Sequence, residues 1–468
     1  MTPLQIFEEI SKIPRGSGNE KAISDYLVEF GKKRGLEAKQ DAALNVVIYK
    51  PGSPGYENHP AVVLQSHMDM VCEKNADTEH NFLTDPISLR IEGDFLYANG
   101  TTLGADNGAG MALSMAALDS TDMAHPPLEV VFTAEEETTM KGIAALDASW
   151  ISARRMINMD SGNDSTFCVG CAGGGRLLFT VPIEKEAVPA GMQCYTLSVR
   201  GLLGGHSGGE INQGKANSIR ILGRALKALP DARIISVTAG LKANAIPREA
   251  DAVIALADAA NAEKLLAELQ AILRSEYRVP DPNITLTLEA AKPKPEVFNK
   301  SSSDKLTAAM MLIPFGVIHM SYDIPGLVET SNNIGVMETL ENSVTIECAL
   351  RSSVPSRRNL VRQQIEALAE GIGCEVEFGN GYPGWTYNPD SPLLAKAVET
   401  YRQINNEDPK ILSVHAGLEC GFMLEKIPDM DIISYCCKVF GGHTPDEHMS
   451  LSSLDRAWSY TIELLKNL

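Results

Sequence analysis

Four short apolar runs in this chain each end in a carboxylate or an imidazole. That repeated ending limits the possible folds more than any other feature. Residues 61–65 (Ala-Val-Val-Leu-Gln) lead to His67 and Asp69. Residues 128–133 (Leu-Glu-Val-Val-Phe-Thr) lead to Glu135, Glu136 and Glu137. Residues 155–159 lead to Asp160, and residues 431–440 lead through Gly441 and Gly442 to His443. Short runs of this kind are expected of strands buried on both faces, as in a parallel sheet. In open α/β sheets, ligands bind in the crevice beyond the carboxyl ends of the strands. The four endings therefore predict one shared crevice.

Asp106 lies in a glycine-rich turn, residues 102–110, followed by small apolar residues from Met111 to Leu118 that predict a buried helix. An anion just before such a helix is stabilised by the unpaired N–H groups and the helix dipole. Local sequence thus allows Asp106 to be either an N-cap or a ligand, and the acidic strand ends favour a ligand. Asp69, Asp106, Glu136, Glu137 and Asp160 would then crowd together with His67 and His443. Two carboxylates about 4 Å apart repel by roughly 4 kcal/mol at an effective dielectric near 20. Such a cluster calls for cations, and the predicted cofactor is a pair of divalent metal ions. Two imidazoles suit zinc, with cobalt or manganese as alternatives, better than calcium or magnesium.

Composition removes several other functions. A chain of 468 residues, 44% hydrophobic and 22% charged, is expected to form two or three globular domains. No apolar run reaches membrane-spanning length. The first ten residues lack a basic and then apolar leader, so the expected location is the cytoplasm. A net charge of −19 argues against nucleic acid or an anionic membrane as partner. The nine cysteines are expected to be reduced core residues. Cys168 and Cys171 form a lone C-x-x-C with no second pair, so no structural zinc is expected there.

Ser17-Gly-Asn-Glu20 has the pattern of a capping box opening an amphipathic helix. An α/β pattern continues to about residue 180. From about 185 the chain reads as antiparallel-rich α+β, in two similar modules. The first comprises a strand from Tyr195, a helix at 215–229, strands at 233–239 and 251–256, and a helix at 261–275. The second comprises a strand at 284–289, a helix at 303–312, strands at 326–339 and 343–351, a helix at 356–371 and a strand at 374–378. A helix at 392–404 returns to the first character. If His443 joins the site, the catalytic domain is discontinuous, 1–184 with 385–468, and residues 185–384 are an inserted lid.

Taken together, the motifs resemble one family. They are Ser66-His67-Met-Asp69, Gly104-Ala-Asp106-Asn-Gly108, Thr133-Ala-Glu-Glu136-Glu137, Asn158-Met-Asp160-Ser, Gly204-Gly-His206-Ser, Asn244-Ala-Ile-Pro247, His415-Ala-Gly-Leu-Glu-Cys420 and Gly442-His443-Thr-Pro-Asp-Glu447. In this order they resemble the M20 metallopeptidases, and within them the aminoacyl-histidine (Xaa-His) dipeptidases, also called peptidase D or carnosinase-like. The resemblance implies an α/β fold: a di-zinc peptidase-type catalytic domain, its mixed and largely parallel sheet flanked by helices, with an inserted α+β lid. It implies that Asp106 bridges two metals, with His67 and Asp160 on one and Glu137 and His443 on the other. Asp69 would orient His67, as imidazole ligands generally require, and Glu136 would be the general base. The family pattern selects the second and third of three glutamates, although Thr138-Thr139 stands where many relatives have a small residue and glycine.

The same resemblance makes His206 a donor to the oxyanion and Arg351 the holder of the substrate's terminal carboxylate. It places Asn244 at the substrate backbone, and the Gly417 loop and Glu419 at the free amino end. Glu419 and His415 are also spaced to pair with each other. The implied activity is hydrolysis of dipeptides, Xaa-His and β-Ala-His included, by a homodimer formed through the lid, with the lid closing about hinges near 184 and 384. Two other readings are an N-acyl amino acid deacylase with the same metal site, and a catalytically silent binding protein. A lid long enough for two modules favours the dipeptidase. Intact Glu136 and a full ligand set argue against a silent relative.

Overall fold

A computed structural model describes all 468 residues, and the chain divides into two compact units. The first comprises Met1–Gly170, Trp385–Val414 and Leu418–Leu468. Its eight-stranded sheet has four central strands, in the order Leu128–Thr133, Val62–His67, Arg155–Asn158 and Asp431–Ser434, each parallel to its neighbour. Antiparallel strands flank them: Val46–Lys50 and Glu37–Gln40 on one side, and Thr166–Cys171 next to Asp431–Ser434 on the other. Leu128–Thr133 and Val62–His67 are buried at every residue, as runs covered on both faces should be. The register sets His67 level with Thr133 and Gln65 level with Asn158. Residues that follow these strands therefore emerge along one edge of the sheet.

The helix after the glycine-rich turn runs Ala105–Asp119, starting earlier than the apolar stretch predicts, and is buried on all sides. Its small residues permit close packing. A Cβ on Gly110 would lie 2.3 Å from the carbonyl oxygen of Met159, so glycine brings this helix against the strand end that precedes Asp160.

Two expectations fail in this unit. The apolar run from Asp431 does not continue as one strand to Phe440. It ends at Ser434, and Val439–Phe440 belongs to a separate four-stranded sheet. Tyr435 is apolar core instead: its ring lies against Phe167 and Tyr460, and its hydroxyl meets Thr461. Ser17 does not cap a helix. The helix Lys21–Lys33 begins after Glu20, without a side-chain cap, and the Ser17 hydroxyl donates to Asp69 Oδ2 at 2.8 Å. A buried carboxylate is the stronger acceptor for that hydroxyl.

The second unit comprises Cys171–Gly384 and His415–Gly417. Its nine-stranded antiparallel sheet has two halves. One contains Thr285–Ala290, Gln193–Arg200, Ala250–Leu256 and Arg233–Ala239, with helices Ser218–Ala228 and Ala259–Glu276. The other contains Val328–Thr339, Ser343–Ser352, Gly173–Pro182 and Glu375–Tyr382, with helices Lys300–Leu312 and Pro355–Ile372. The halves meet where Thr238 and Ala239 pair with Glu338 and Met337.

Strand assignment here differs from expectation. Thr285–Ala290, read as the start of the second module, pairs with Gln193–Arg200 in the first. The second half takes Gly173–Pro182 in its place, registered along its whole length with Ser343–Ser352. The sheet of this unit therefore takes in Gly173–Pro182, which precedes residue 184. Alternating burial marks a strand but says nothing of its partner. No helix is long and apolar enough to cross a membrane. None of the nine cysteines is joined in a disulfide, and Cys168 and Cys171 are buried.

Candidate metal centre

The carboxyl ends of the parallel strands bring two triads together around Asp106. His67 Nε2 lies 3.1 Å from Asp106 Oδ1 and 3.3 Å from Asp160 Oδ1. His443 Nε2 lies 3.4 Å from Asp106 Oδ2 and 3.0 Å from Glu137 Oε1. Each Asp106 oxygen thus faces its own imidazole and its own second carboxylate. The ligand atoms of His67, Asp106 and Glu137 all fall within 4.8 Å of one another. The side chain of His67 is 1% exposed, whereas that of His443 is 52% exposed. His443 sits in the left-handed region, φ 63°, at the end of the Gly441-Gly442 turn.

A second layer of hydrogen bonds orders these groups. Asp69 is fully buried, and its Oδ1 lies 3.4 Å from His67 Nδ1. The same carboxylate accepts the backbone N–H groups of Glu136 at 3.0 Å and Glu137 at 3.2 Å. It therefore holds the imidazole and the glutamate turn together. Glu135 turns away: its carboxylate accepts the Thr139 hydroxyl at 2.7 Å, and its φ of 54° marks the bend. The Thr138-Thr139 departure supplies that partner. Glu136 is held by its backbone, with its own carboxylate free of hydrogen bonds to the chain. Asn107 Nδ2 donates to Asp160 Oδ1 at 2.7 Å and to the Met159 carbonyl at 2.6 Å.

Glu447, four residues after His443, is 2% exposed and accepts the N–H groups of Leu103 (2.8 Å), Gly104 (2.9 Å) and Asp106 (3.1 Å). The helix Ala105–Asp119 has no cap of its own, since its N-cap is Gly104. A carboxylate from a distant loop does that work, and the Asp106 side chain is left for the triads. Arg15, fully buried, donates to the carbonyls of Met68, Asp69 and Gly104, tying the His67 and Asp106 loops together. Sequence reading assigned no role to Glu447, Asn107 or Arg15. The signal for the first two was their place inside the quoted motifs; Arg15 had none.

The site's electrostatics suit cations. Burial disfavours a charged His67, yet Asp160, Asp106 and Asp69 together raise its pKa well above the ordinary imidazole value. Hydrogen bonds to Asp106 and then Glu137 raise His443 to about 10. Burial pushes Glu136, Glu137 and Asp160 upward. Protons thus accumulate where positive charge is wanted, and the buried Glu137 Oε1 has His443 Nε2 as its neighbour at 3.0 Å. The residues present fit a metal centre, with nitrogen and oxygen donors on both sides of Asp106.

Glu419 is 1% exposed, and its Oε2 accepts from Gln65 Nε2 at 2.5 Å and Thr133 Oγ1 at 2.6 Å. It does not pair with His415, whose Nε2 meets Ser331 Oγ at 2.7 Å. Burial raises Glu419 to about 7, and its Oε1 has no hydrogen bond.

The remaining predicted residues lie in the second unit. His206 is exposed, and its Nδ1 accepts the N–H of Gly208 at 3.2 Å, which leaves the ring proton on Nε2. Burial and then Arg351 lower its pKa, so the ring is neutral near pH 7. His206 pairs with Ala245, beside Asn244, whose carbonyl accepts the Ser207 N–H at 2.9 Å. Arg351 Nη1 donates to Tyr382 Oη at 3.0 Å and to the His415 carbonyl at 3.4 Å. Gly417 packs on the ring of Tyr382.

Comparison with known proteins agrees with this construction. Residues 63–467 match the family model described as Peptidase family M20/M25/M40. The chain is 39% identical over 468 residues to the cytosol non-specific dipeptidase of Escherichia coli (strain K12), covering 99% of this chain and 96% of that relative. The structure is similar to that of aminoacylhistidine dipeptidase from Vibrio alginolyticus, with a TM-score of 0.93 at 38% identity, covering 99% of this chain and 96% of the other. The aminopeptidase PepT from Bacillus cereus ATCC 10987 shares the fold at 14% identity, with a TM-score of 0.58, covering 99% of this chain and 97% of that one. The family match over most of its length, and a relative this similar end to end, show that the chain belongs to peptidase family M20/M25/M40.

Proposed function

We propose that this protein hydrolyses dipeptides, Xaa-His substrates such as β-Ala-His among them, at a centre of two divalent metal ions. The observation that carries the proposal is Asp106, with one oxygen toward His67 and Asp160 and the other toward His443 and Glu137. Zinc is the proposed metal, with cobalt or manganese as alternatives; bound there, it would supply Lewis acidity toward water and the scissile carbonyl. Glu136, unengaged beside the triads, takes the proton of the attacking water and delivers it to the leaving amine. His206 offers its Nε2 proton to the developing oxyanion. Arg351 holds the terminal carboxylate and Asn244 the substrate backbone, and the Gly417 loop serves the free amino end. Glu419 meets the free amino group through Oε1, its one unpaired oxygen.

The names of the E. coli and V. alginolyticus relatives support dipeptides as the substrate class. The E. coli name and the nine cysteines, none of them in a disulfide, support a cytoplasmic location. The outer strands Thr285–Ala290 and Glu375–Tyr382 of the lid sheet each leave one edge unpaired, which supports a homodimer through the lid.

The test is hydrolysis of β-Ala-His, Leu-His, Ala-Leu, a tripeptide and an N-acetyl amino acid, before and after chelation and after Zn²⁺, Co²⁺ or Mn²⁺ is restored. Metal-dependent cleavage of the dipeptides is expected. Cleavage of the N-acetyl substrate alone would replace this reading with a deacylase. Cleavage of none, with metal bound, would leave a binding protein.

A further inference from the structure

Arg351 stands near the end of Ser343–Ser352, between Ser331 and Gly174 on the neighbouring strands, so the sheet holds its backbone firmly. The sheet does not hold its long side chain. Only one corner of the guanidinium is tied down: Nη1 donates to Tyr382 Oη at 3.0 Å and to the His415 carbonyl at 3.4 Å. Nε is buried with no partner. No acidic side chain forms an ion pair with Arg351, whereas eight other arginines, Arg200 and Arg357 among them, each pair with one. Both its anchors are neutral oxygens. A carboxylate anchor would have cancelled the charge and competed with an anionic ligand. A phenol and a carbonyl orient the group and leave its charge intact, with Nε left unpaired as a donor for a bidentate carboxylate.

Tyr382 is built to be rigid. Its strand residue pairs with Gly174, and its backbone carbonyl accepts from Arg358 Nη1 at 2.9 Å. Two glycines make room for the ring: a Cβ would lie 2.4 Å from Tyr382 Cζ if placed on Gly174, and 2.6 Å from Cε2 if placed on Gly417. Burial pushes the phenol's pKa upward, so it remains a neutral acceptor.

We infer that Tyr382 is a positioning residue that aims Arg351, and so sets the preference for a substrate with a free terminal carboxylate. The inference rests on the reading of Arg351 as the carboxylate holder. The metal-loaded enzyme, Tyr382→Phe and Arg351→Gln are compared on Ala-Leu and on Ala-Leu amide, as substrate or as competing inhibitor, with thermal unfolding of each. Tyr382→Phe should raise KM for Ala-Leu by about 3- to 10-fold with little change in kcat. The amide, which offers no anion, should bind it as it binds the wild type, and Tm should hold. Arg351→Gln should abolish the preference altogether. If Arg351→Gln keeps the preference, the carboxylate reading of Arg351 fails and the inference falls with it. If Arg351→Gln loses the preference but Tyr382→Phe keeps it, only the role of Tyr382 is overturned. An equal loss on both ligands with a lower Tm would also overturn it, as a merely structural effect.

Discussion

Glu447 accepts the backbone N–H of Asp106 at 3.1 Å, and those two residues are 341 positions apart. The bond caps the helix Ala105–Asp119 from outside, so that Asp106 can face both imidazoles. Glu447→Gln removes the negative charge from three N–H groups and puts an amide donor among them. Loss of such an outer support typically costs about 10- to 100-fold in metal affinity or activity. Metal retention against a graded chelator should fall by that order, and activity should recover in part at high metal. Unchanged retention would mean that the cap is incidental to the site.

Glu136 is the group whose loss should separate chemistry from assembly. Its carboxylate bonds to nothing in the chain, while its N–H is one of the supports of Asp69. Glu136→Gln keeps that backbone bond. It should lower kcat by about 10²- to 10⁴-fold while metal content stays as in the wild type. Retained turnover would remove Glu136 as general base.

His206 is neutral near pH 7, with its proton on Nε2. His206→Ala should lower kcat by about 100-fold or more and move KM little. A variant with normal kcat and a raised KM would make His206 a binding residue instead.

Metal should be coupled to stability. The centre gathers carboxylates that burial already pushes toward protonation, and a bound cation relieves that. Free metal at about 100 times Kd should stabilise the fold by about 2.7 kcal/mol, read as a rise in Tm over the chelated protein. Asp106→Asn, which withdraws charge from both triads, should remove most of that rise. A metal-induced rise that survives Asp106→Asn would point to binding elsewhere.

The second unit should weaken in mild acid. Burial, and then Arg351, hold His415 down to about 4, from an ordinary value of 6.5. Between those two values the unfolded chain binds the extra proton, so stability rises with pH. The contribution is complete above about 6.5 and is lost as pH falls toward about 4, on the order of 3 kcal/mol at most. His415→Gln should flatten the dependence of unfolding free energy on pH across this window. An identical slope in the variant would show that His415 is not the titrating group.

Much of the site was legible without coordinates because it depends on short-range order. A buried strand announces itself by composition, and whatever follows it emerges at the sheet's edge, so His67, Asp160 and the glutamates 135–137 could be located from local runs, and the family resemblance singled out Glu136 and Glu137. The run before His443 was read as one strand, but it ends at Ser434 because Tyr435 is apolar for core packing, and His443 reaches Asp106 and Glu137 from the turn beyond. Motif order carried the rest, and the family match supports it.

What only the tertiary structure decided are the relations with no local pattern. Strand pairing in the second unit is one: nothing in the residues of Gly173–Pro182 or Thr285–Ala290 marks a partner, and each joined the half that its sequence neighbours did not suggest. The cap on the Asp106 helix is another, and the anchoring of Arg351 by Tyr382 a third. Each depends on a donor and an acceptor from separate elements being brought together, backbone to backbone in the strands, side chain to backbone at the cap, and side chain to side chain at Arg351. Sequence determined which residues could bind a metal, because charge and strand ends are local properties. The fold determined how they are held, because an unsatisfied buried donor takes whichever acceptor the packing brings to it.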